Sequence, residues 1–154
     1  MNKGSGHLAF LVGAGIAVFG ALIHWVAPFL GPDWYAFLHA PKWVVDSARN
    51  GTMAAPVGAV VIGFLMFTCA SYAFSGAGLI RRLPFVKTGL AVISTICLLR
   101  SLLLVPYLVT VPKMLSAFDI VGSLVWFVAG VMFSVGAFKN WHLLSRNIGY
   151  RSSP

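Results

Sequence analysis

Long apolar runs alternate with short polar segments along this chain, and the pattern predicts membrane-spanning helices. The runs lie at about residues 8–30, 53–80, 88–110 and 118–138. A run of 20 or more residues forms about 30 Å of helix or more, enough to cross the hydrocarbon core of a bilayer. Because lipid cannot satisfy backbone N–H and C=O groups, each run should be helical. The predicted fold is an all-α, four-transmembrane-helix bundle, as a single domain over residues 1–154.

The third run contains Arg100, so its insertion into the membrane needs a separate argument. Central Leu, Ile and Val residues each favour insertion by roughly 0.3–0.6 kcal/mol, whereas Arg opposes it by roughly 2.5–3.5 kcal/mol. About ten such apolar residues in the run outweigh the single Arg. We therefore expect four spans rather than three.

The distribution of basic residues tests the same count. With four spans, seven basic residues fall on the side of both termini and three on the other, whereas losing the third span leaves five on each side. The bias predicts cytoplasmic termini, facing anionic lipids of that leaflet. The seven residues are Lys3, Arg81, Arg82, Lys87, Lys139, Arg146 and Arg151, and the three are Lys42, Arg49 and Lys113.

Composition supports a membrane protein. Hydrophobic residues make up 59% of the chain and charged residues 9%, whereas a soluble domain has about 25% charged residues. The net charge of +8 comes from basic residues at the ends of apolar runs, so we expect contact with the bilayer and none with nucleic acid.

The first loop, residues 31–51, is expected to lie on the outer side of the membrane that the helices cross, at its surface. Pro41 and Gly51 flank a segment that predicts a short interfacial helix. Trp34, Tyr35 and Trp43 in this loop, and Trp141 after the last span, are predicted to lie at the membrane–water interface.

Arg100 is the main candidate for chemistry, because ionisable residues within spans usually face a protein interior or a wet cavity. Helix rise puts it at a depth from which its side chain could reach the level of His24. Asp119, and with it Asp33, completes a predicted polar cluster in the outer half of the bundle. One interpretation is a site for an anion, a headgroup or a small ligand; the other is an Arg100–Asp119 pair joining two helices. Ser116 and Asp119 also have the spacing of a helix capping box.

Nothing in the sequence forms a catalytic constellation. The chain has three Asp residues, no Glu and no Cys-x-x-Cys motif, and His24 is the single histidine expected within the membrane. We therefore predict no catalytic residue, no cofactor and no metal site, and lean against an enzyme.

Three stretches carry a resemblance: Gly31-Pro-Asp-Trp-Tyr-Ala-Phe, Ser75-Gly-Ala-Gly-Leu-Ile-Arg-Arg-Leu-Pro and Leu98-Leu-Arg-Ser-Leu-Leu. They resemble a group of small four-helix inner-membrane proteins of Gram-negative bacteria, over roughly residues 8–110. The architecture is also similar to that of DoxX-like four-helix proteins. The resemblance implies a multi-pass protein of the bacterial inner membrane and no particular activity.

Two functional hypotheses follow. The first is a non-enzymatic membrane protein that acts by binding a partner, as an accessory subunit or an immunity-type protein. The second is a small oligomeric channel or carrier with an anion or small-ligand site in the outer half of the bundle. A membrane-protein partner or a homo-oligomer is expected in either case.

Overall fold

The computed structural model describes residues 3–110 and 115–145 of the chain. Of this part, 85% is helical and no residue is in a strand, which confirms the all-α prediction. Lys113, Arg146 and Arg151, which contributed to the predicted charge bias, lie outside the described residues. The helices in chain order are α1 (Lys3–Leu30), α2 (Pro32–Phe37), α3 (Lys42–Arg49), α4 (Ala54–Ala77), α5 (Val86–Leu102), α6 (Leu104–Thr110), α7 (Ala117–Lys139) and α8 (Trp141–Ser145).

Four helical stretches are long and apolar enough to cross a membrane, as expected for a multi-pass membrane protein. They are Gly4–Leu30, Ala54–Ala77, Val86–Thr110 and Ala117–Lys139.

The third stretch differs from the prediction of one continuous helix, because it is broken into α5 and α6 at Leu103. Pro106 explains the break. Its nitrogen carries no hydrogen to bond the carbonyl of Leu102 four residues earlier, and its ring crowds that carbonyl. α5 has a buried stripe, whereas α6 has no buried residue. The second half of this span is therefore only loosely packed against the rest of the chain.

The four spans pack side by side, with α1 between α4 and α7, and α5 against α7 and α4. Lys139 Nζ donates a hydrogen bond to Ser5 Oγ at 2.8 Å, so the start of α1 and the end of α7 meet at one end of the molecule. α2 and α3 lie at the opposite end, called the loop end below.

Near the termini, the core is built around the ring of Phe10, which is completely buried. The ring lies between Gly76 of α4 and Gly136 of α7. A Cβ at either position would come within 3.0 Å of ring atoms, so only glycine leaves space for the aromatic ring. Small residues thus bring the helices close together, as is common in membrane proteins.

Candidate functional site

A cavity of about 1030 Å³ opens among the four spans at the loop end and is called the outer cavity below. α1, α4, α5, α6 and α7 form its walls, and α2, α3 and the segment between them border it as well. Small-molecule sites typically have volumes of about 300–1,000 Å³. The cavity is therefore large enough for an organic ligand.

Three of the four polar residues singled out from the sequence border this cavity. They are His24 on α1, Arg100 on α5 and Asp119 on α7. Asp33 does not border it; this residue is exposed in the first turn of α2. The fold thus brings three of these residues, from three helices, around one space.

Arg100 is exposed and makes no hydrogen bond or ion pair with any described residue. The Arg100–Asp119 pair considered from the sequence is therefore not formed. Arg100 shares its side of the span with Leu103, Leu104 and Tyr107, which follow at helical spacing and also border the cavity. The guanidinium group is left as an uncompensated positive charge beside an otherwise largely apolar space.

Asp119 has other partners. Its Oδ2 accepts hydrogen bonds from the Ser116 backbone N–H at 2.9 Å and the Ser116 hydroxyl at 2.8 Å. In return, the backbone N–H of Asp119 donates to Ser116 Oγ at 3.2 Å. The capping box indicated by the sequence spacing is confirmed, and it fixes the carboxylate at the start of α7.

His39 is a member of the site that the sequence analysis did not select. Its Nδ1 lies 3.3 Å from Asp119 Oδ1, and its ring stacks on Phe118 with centroids 5.1 Å apart. The backbone at His39 is left-handed, with φ of 54°, which ends the turn after α2. No local signal could have found this contact, because it joins residues 80 positions apart.

The segment from α2 to α3 forms a lid beside the outer cavity. The His39–Asp119 contact attaches it to α7. At its other end, Ser47 Oγ accepts a hydrogen bond from the Ala55 N–H at 3.0 Å and lies 2.6 Å from Thr52 Oγ1, which attaches α3 to the start of α4. The lid is thus fixed at both ends to the spans.

His24 contributes a polar group on the α1 wall. Its Nδ1 lies 2.8 Å from the carbonyl oxygen of Gly20. Because a carbonyl can only accept, Nδ1 must donate in this hydrogen bond. In the neutral imidazole, Nε2 is then left as an acceptor.

The aromatic residues predicted for the interface differ in their surroundings. Trp43 is 65% exposed and borders the outer cavity, and the Trp141 ring lies 4.4 Å from Lys87 Nζ. Tyr35 also borders the cavity, but its side chain is buried and its hydroxyl has no hydrogen-bond partner. Burial raises the pKa of Tyr35. The Trp34 indole N–H is likewise buried without a partner.

The charges around the cavity favour an anion. Asp119 is engaged by Ser116 and His39, whereas Arg100 has no hydrogen-bond or ion-pair partner among the described residues. Screening is weak at a site surrounded by apolar side chains, so an anionic group near the guanidinium would be held more strongly than in water. Within the described residues, no three His, Cys, Asp or Glu side chains come together as a metal site would require.

No protein-family model, curated protein or solved structure matches the chain.

Proposed function

We propose that the protein binds a small molecule carrying a negative charge in the outer cavity, with Arg100 as the anchoring cation. The protein would act as a four-helix bundle in the bacterial inner membrane, with both termini in the cytoplasm and the lid at the periplasmic surface. The proposed site corresponds to the ligand site of the channel or carrier hypothesis, with the outer cavity as the space that would hold the ligand.

One observation carries the proposal: Arg100 has no partner among the described residues and borders a cavity of about 1030 Å³. A charged side chain within a span costs roughly 2.5–3.5 kcal/mol on insertion scales. Bonding to a partner within the protein would lower that cost, and Arg100 has none among residues 3–110 and 115–145. An anionic ligand would supply the missing partner, while Nε2 of neutral His24 would accept a hydrogen bond from a hydroxyl or amide group of the same ligand.

The test measures binding of hexanoate and of inorganic phosphate to the purified protein in lipid nanodiscs, by calorimetry. Arg100→Gln is the test variant, because it removes the charge and keeps a hydrogen-bonding side chain. Arg49→Gln is the matched control: it makes the same change at an exposed residue of α3 that does not border the cavity.

Arg100→Gln should weaken binding by about ten- to a hundredfold, the equivalent of one charge-assisted hydrogen bond of about 1.5–3 kcal/mol. Arg49→Gln should bind within about twofold of the wild type. Equal affinities for the two variants, or no saturable binding of either anion to the wild type, would contradict the proposal.

Partner binding is the second candidate, and the weak packing of the third span favours it. In the most apolar 18-residue stretch of Val86–Thr110, only 17% of the stretch is buried within the protein, the lowest share among the four spans. As an accessory subunit, the protein would pack its α6 against a helix of a different membrane protein. A photoreactive residue at Val109 should then crosslink to one stoichiometric partner, and the same probe at Phe64 on α4 should reach only lipid. Lipid adducts alone from both positions would exclude this function.

A further inference from the structure

A second cavity, of about 230 Å³, lies between α1, α4, α5 and α7, further from the loop end, and is called the inner cavity below. It is open on one side, since Phe19 and Val121 in its lining are exposed. Its lining consists of aliphatic and aromatic side chains, glycines, one methionine and the two cysteines, with no Ser, Thr or charged residue. The outer cavity, in contrast, is bordered by Arg100, His24, His39 and Asp119. Polarity therefore changes sharply from one cavity to the other.

The two cavities adjoin. Six residues border both of them: Gly20, Ile23, Met66, Phe118, Gly122 and Trp126. Gly122 leaves open space at this junction, because a Cβ added there would meet no atom within 4 Å. Met66 is the most flexible side chain of the six, and its thioether can move aside at little cost. A chain-like molecule could thus extend from the outer cavity into the inner one.

We propose that the ligand is a long-chain anion, whose carboxylate or phosphate group is held near Arg100 and whose hydrocarbon chain fills the inner cavity. This inference rests on the proposed function and adds the chemical class of the ligand.

Volume and packing support a hydrocarbon chain as the occupant. An engineered apolar cavity of about 150 Å³ binds benzene, so the inner cavity has space for more than six carbons. An unfilled cavity leaves its lining atoms without van der Waals partners on one side. A chain held in this open cavity contacts the helices on either side of it and fills the space between them, although lipid is equally apolar.

The charge pattern argues against a neutral chain. A fully apolar molecule would leave Arg100 without a partner, and a small hydrophilic anion would leave the inner cavity unfilled. An amphipathic anion satisfies both features at once. Free fatty acids and single-chain lipid phosphates share this chemistry, and the choice of probe separates them.

The experiment measures binding of radiolabelled hexanoate, dodecanoate and dodecyl phosphate to the protein in nanodiscs, with protein-free nanodiscs as background and dodecanol as the uncharged competitor. Gly122→Leu is the test variant, because its side chain would enter the junction between the cavities. Gly15→Leu is the matched control: it lies on α1, is exposed, meets no atom within 4 Å of an added Cβ and borders neither cavity.

Dodecanoate or dodecyl phosphate should bind more tightly than hexanoate, and dodecanol should compete poorly. Gly122→Leu should weaken binding of the twelve-carbon anions by about tenfold or more and leave hexanoate unchanged. Gly15→Leu should leave all affinities within about twofold. Stronger binding of dodecanoate identifies a fatty-acid ligand, and stronger binding of dodecyl phosphate a phosphate-headed one.

Equal effects of the two leucine variants on dodecanoate, together with weaker binding of every anion to Arg100→Gln, would overturn this inference and leave the proposed function standing. If Arg100→Gln has no effect on hexanoate, the proposed function itself is wrong. Should Gly122→Leu not fold, 12-bromododecanoate provides a second measurement, because bromine quenches nearby Trp fluorescence. Saturable quenching that Trp126→Phe removes supports the inference, and quenching unchanged in that variant contradicts it.

Discussion

Two glycines of α7 allow the same substitution to be compared in two surroundings. At Gly136, an added Cβ would lie 2.5 and 2.6 Å from Cδ1 and Cε1 of Phe10. The Phe10 ring has little space to move away, because Gly76 packs closely against it: a Cβ built on Gly76 would lie only 2.9 Å from Cζ. At Gly122 an added Cβ would meet nothing within 4 Å.

The difference between the two alanine variants isolates the steric cost. Replacing Gly by Ala within a helix raises the free energy of unfolding by up to about 1 kcal/mol through helix propensity, and this increase is expected at both sites. Overpacking a filled core typically costs about 1–3 kcal/mol. We therefore expect the free energy of unfolding of Gly136→Ala to be about 1–3 kcal/mol lower than that of Gly122→Ala.

Reversible unfolding by SDS in mixed micelles, followed by circular dichroism, measures both values under the same conditions. Gly122→Ala should be as stable as the wild type or more so. The reasoning is refuted if Gly136→Ala is equally stable, because the helices at the terminal end would then be less closely packed around Phe10 than the structure indicates.

Three further predictions concern the loop end. Ser116→Ala removes the capping box and should lower the free energy of unfolding by about 1 kcal/mol, whereas an unchanged value in SDS titration would show that the cap contributes nothing. His39→Ala should increase hydrogen exchange in α2 and α3 with little loss of global stability, because a partly exposed pair contributes only about 0.2–1 kcal/mol; exchange equal to the wild type would contradict the lid attachment. Tyr35→Phe should stabilise the protein, since the lost hydroxyl has no partner. Burial raises the pKa of Tyr35 from its ordinary value of 10.0, so the free energy of unfolding does not depend on this group below pH 10 and declines above it, because the unfolded state loses the phenol proton first. The decline should be smaller in Tyr35→Phe, and equal declines would show that Tyr35 is not responsible.

The all-α fold with four long apolar helices could be predicted from the sequence because few physical solutions exist for such runs. A segment of more than 20 apolar residues has to satisfy its own backbone in lipid, and a helix does so within the segment. The capping box at Ser116 and Asp119 was also predictable, since both residues belong to one turn. Pro106 is a local signal for the break at Leu103, although one continuous helix was predicted here.

The arrangement of the polar residues could not be predicted in the same way. Helix rise predicted that the Arg100 side chain could reach the level of His24, but depth along a helix contains no information about rotation around the helix axis. Asp119 was considered as the partner of Arg100 and instead contacts His39, a loop residue whose place depends on how α2 and α3 fold. The two cavities depend on side-chain packing between helices far apart in the chain.

If the outer cavity binds the proposed anion, the break at Leu103 has a consequence for the rate at which that ligand exchanges. Segments with few buried contacts open locally at a much lower free energy than the whole molecule needs to unfold. α6 is such a segment, and its residues Leu104 and Tyr107 border the outer cavity. Movement of α6 relative to α5 at Leu103 would open the outer cavity laterally towards the lipid, while the segment from α2 to α3 stays in place. We therefore expect the residence time of a bound molecule to follow the opening rate of this half-helix.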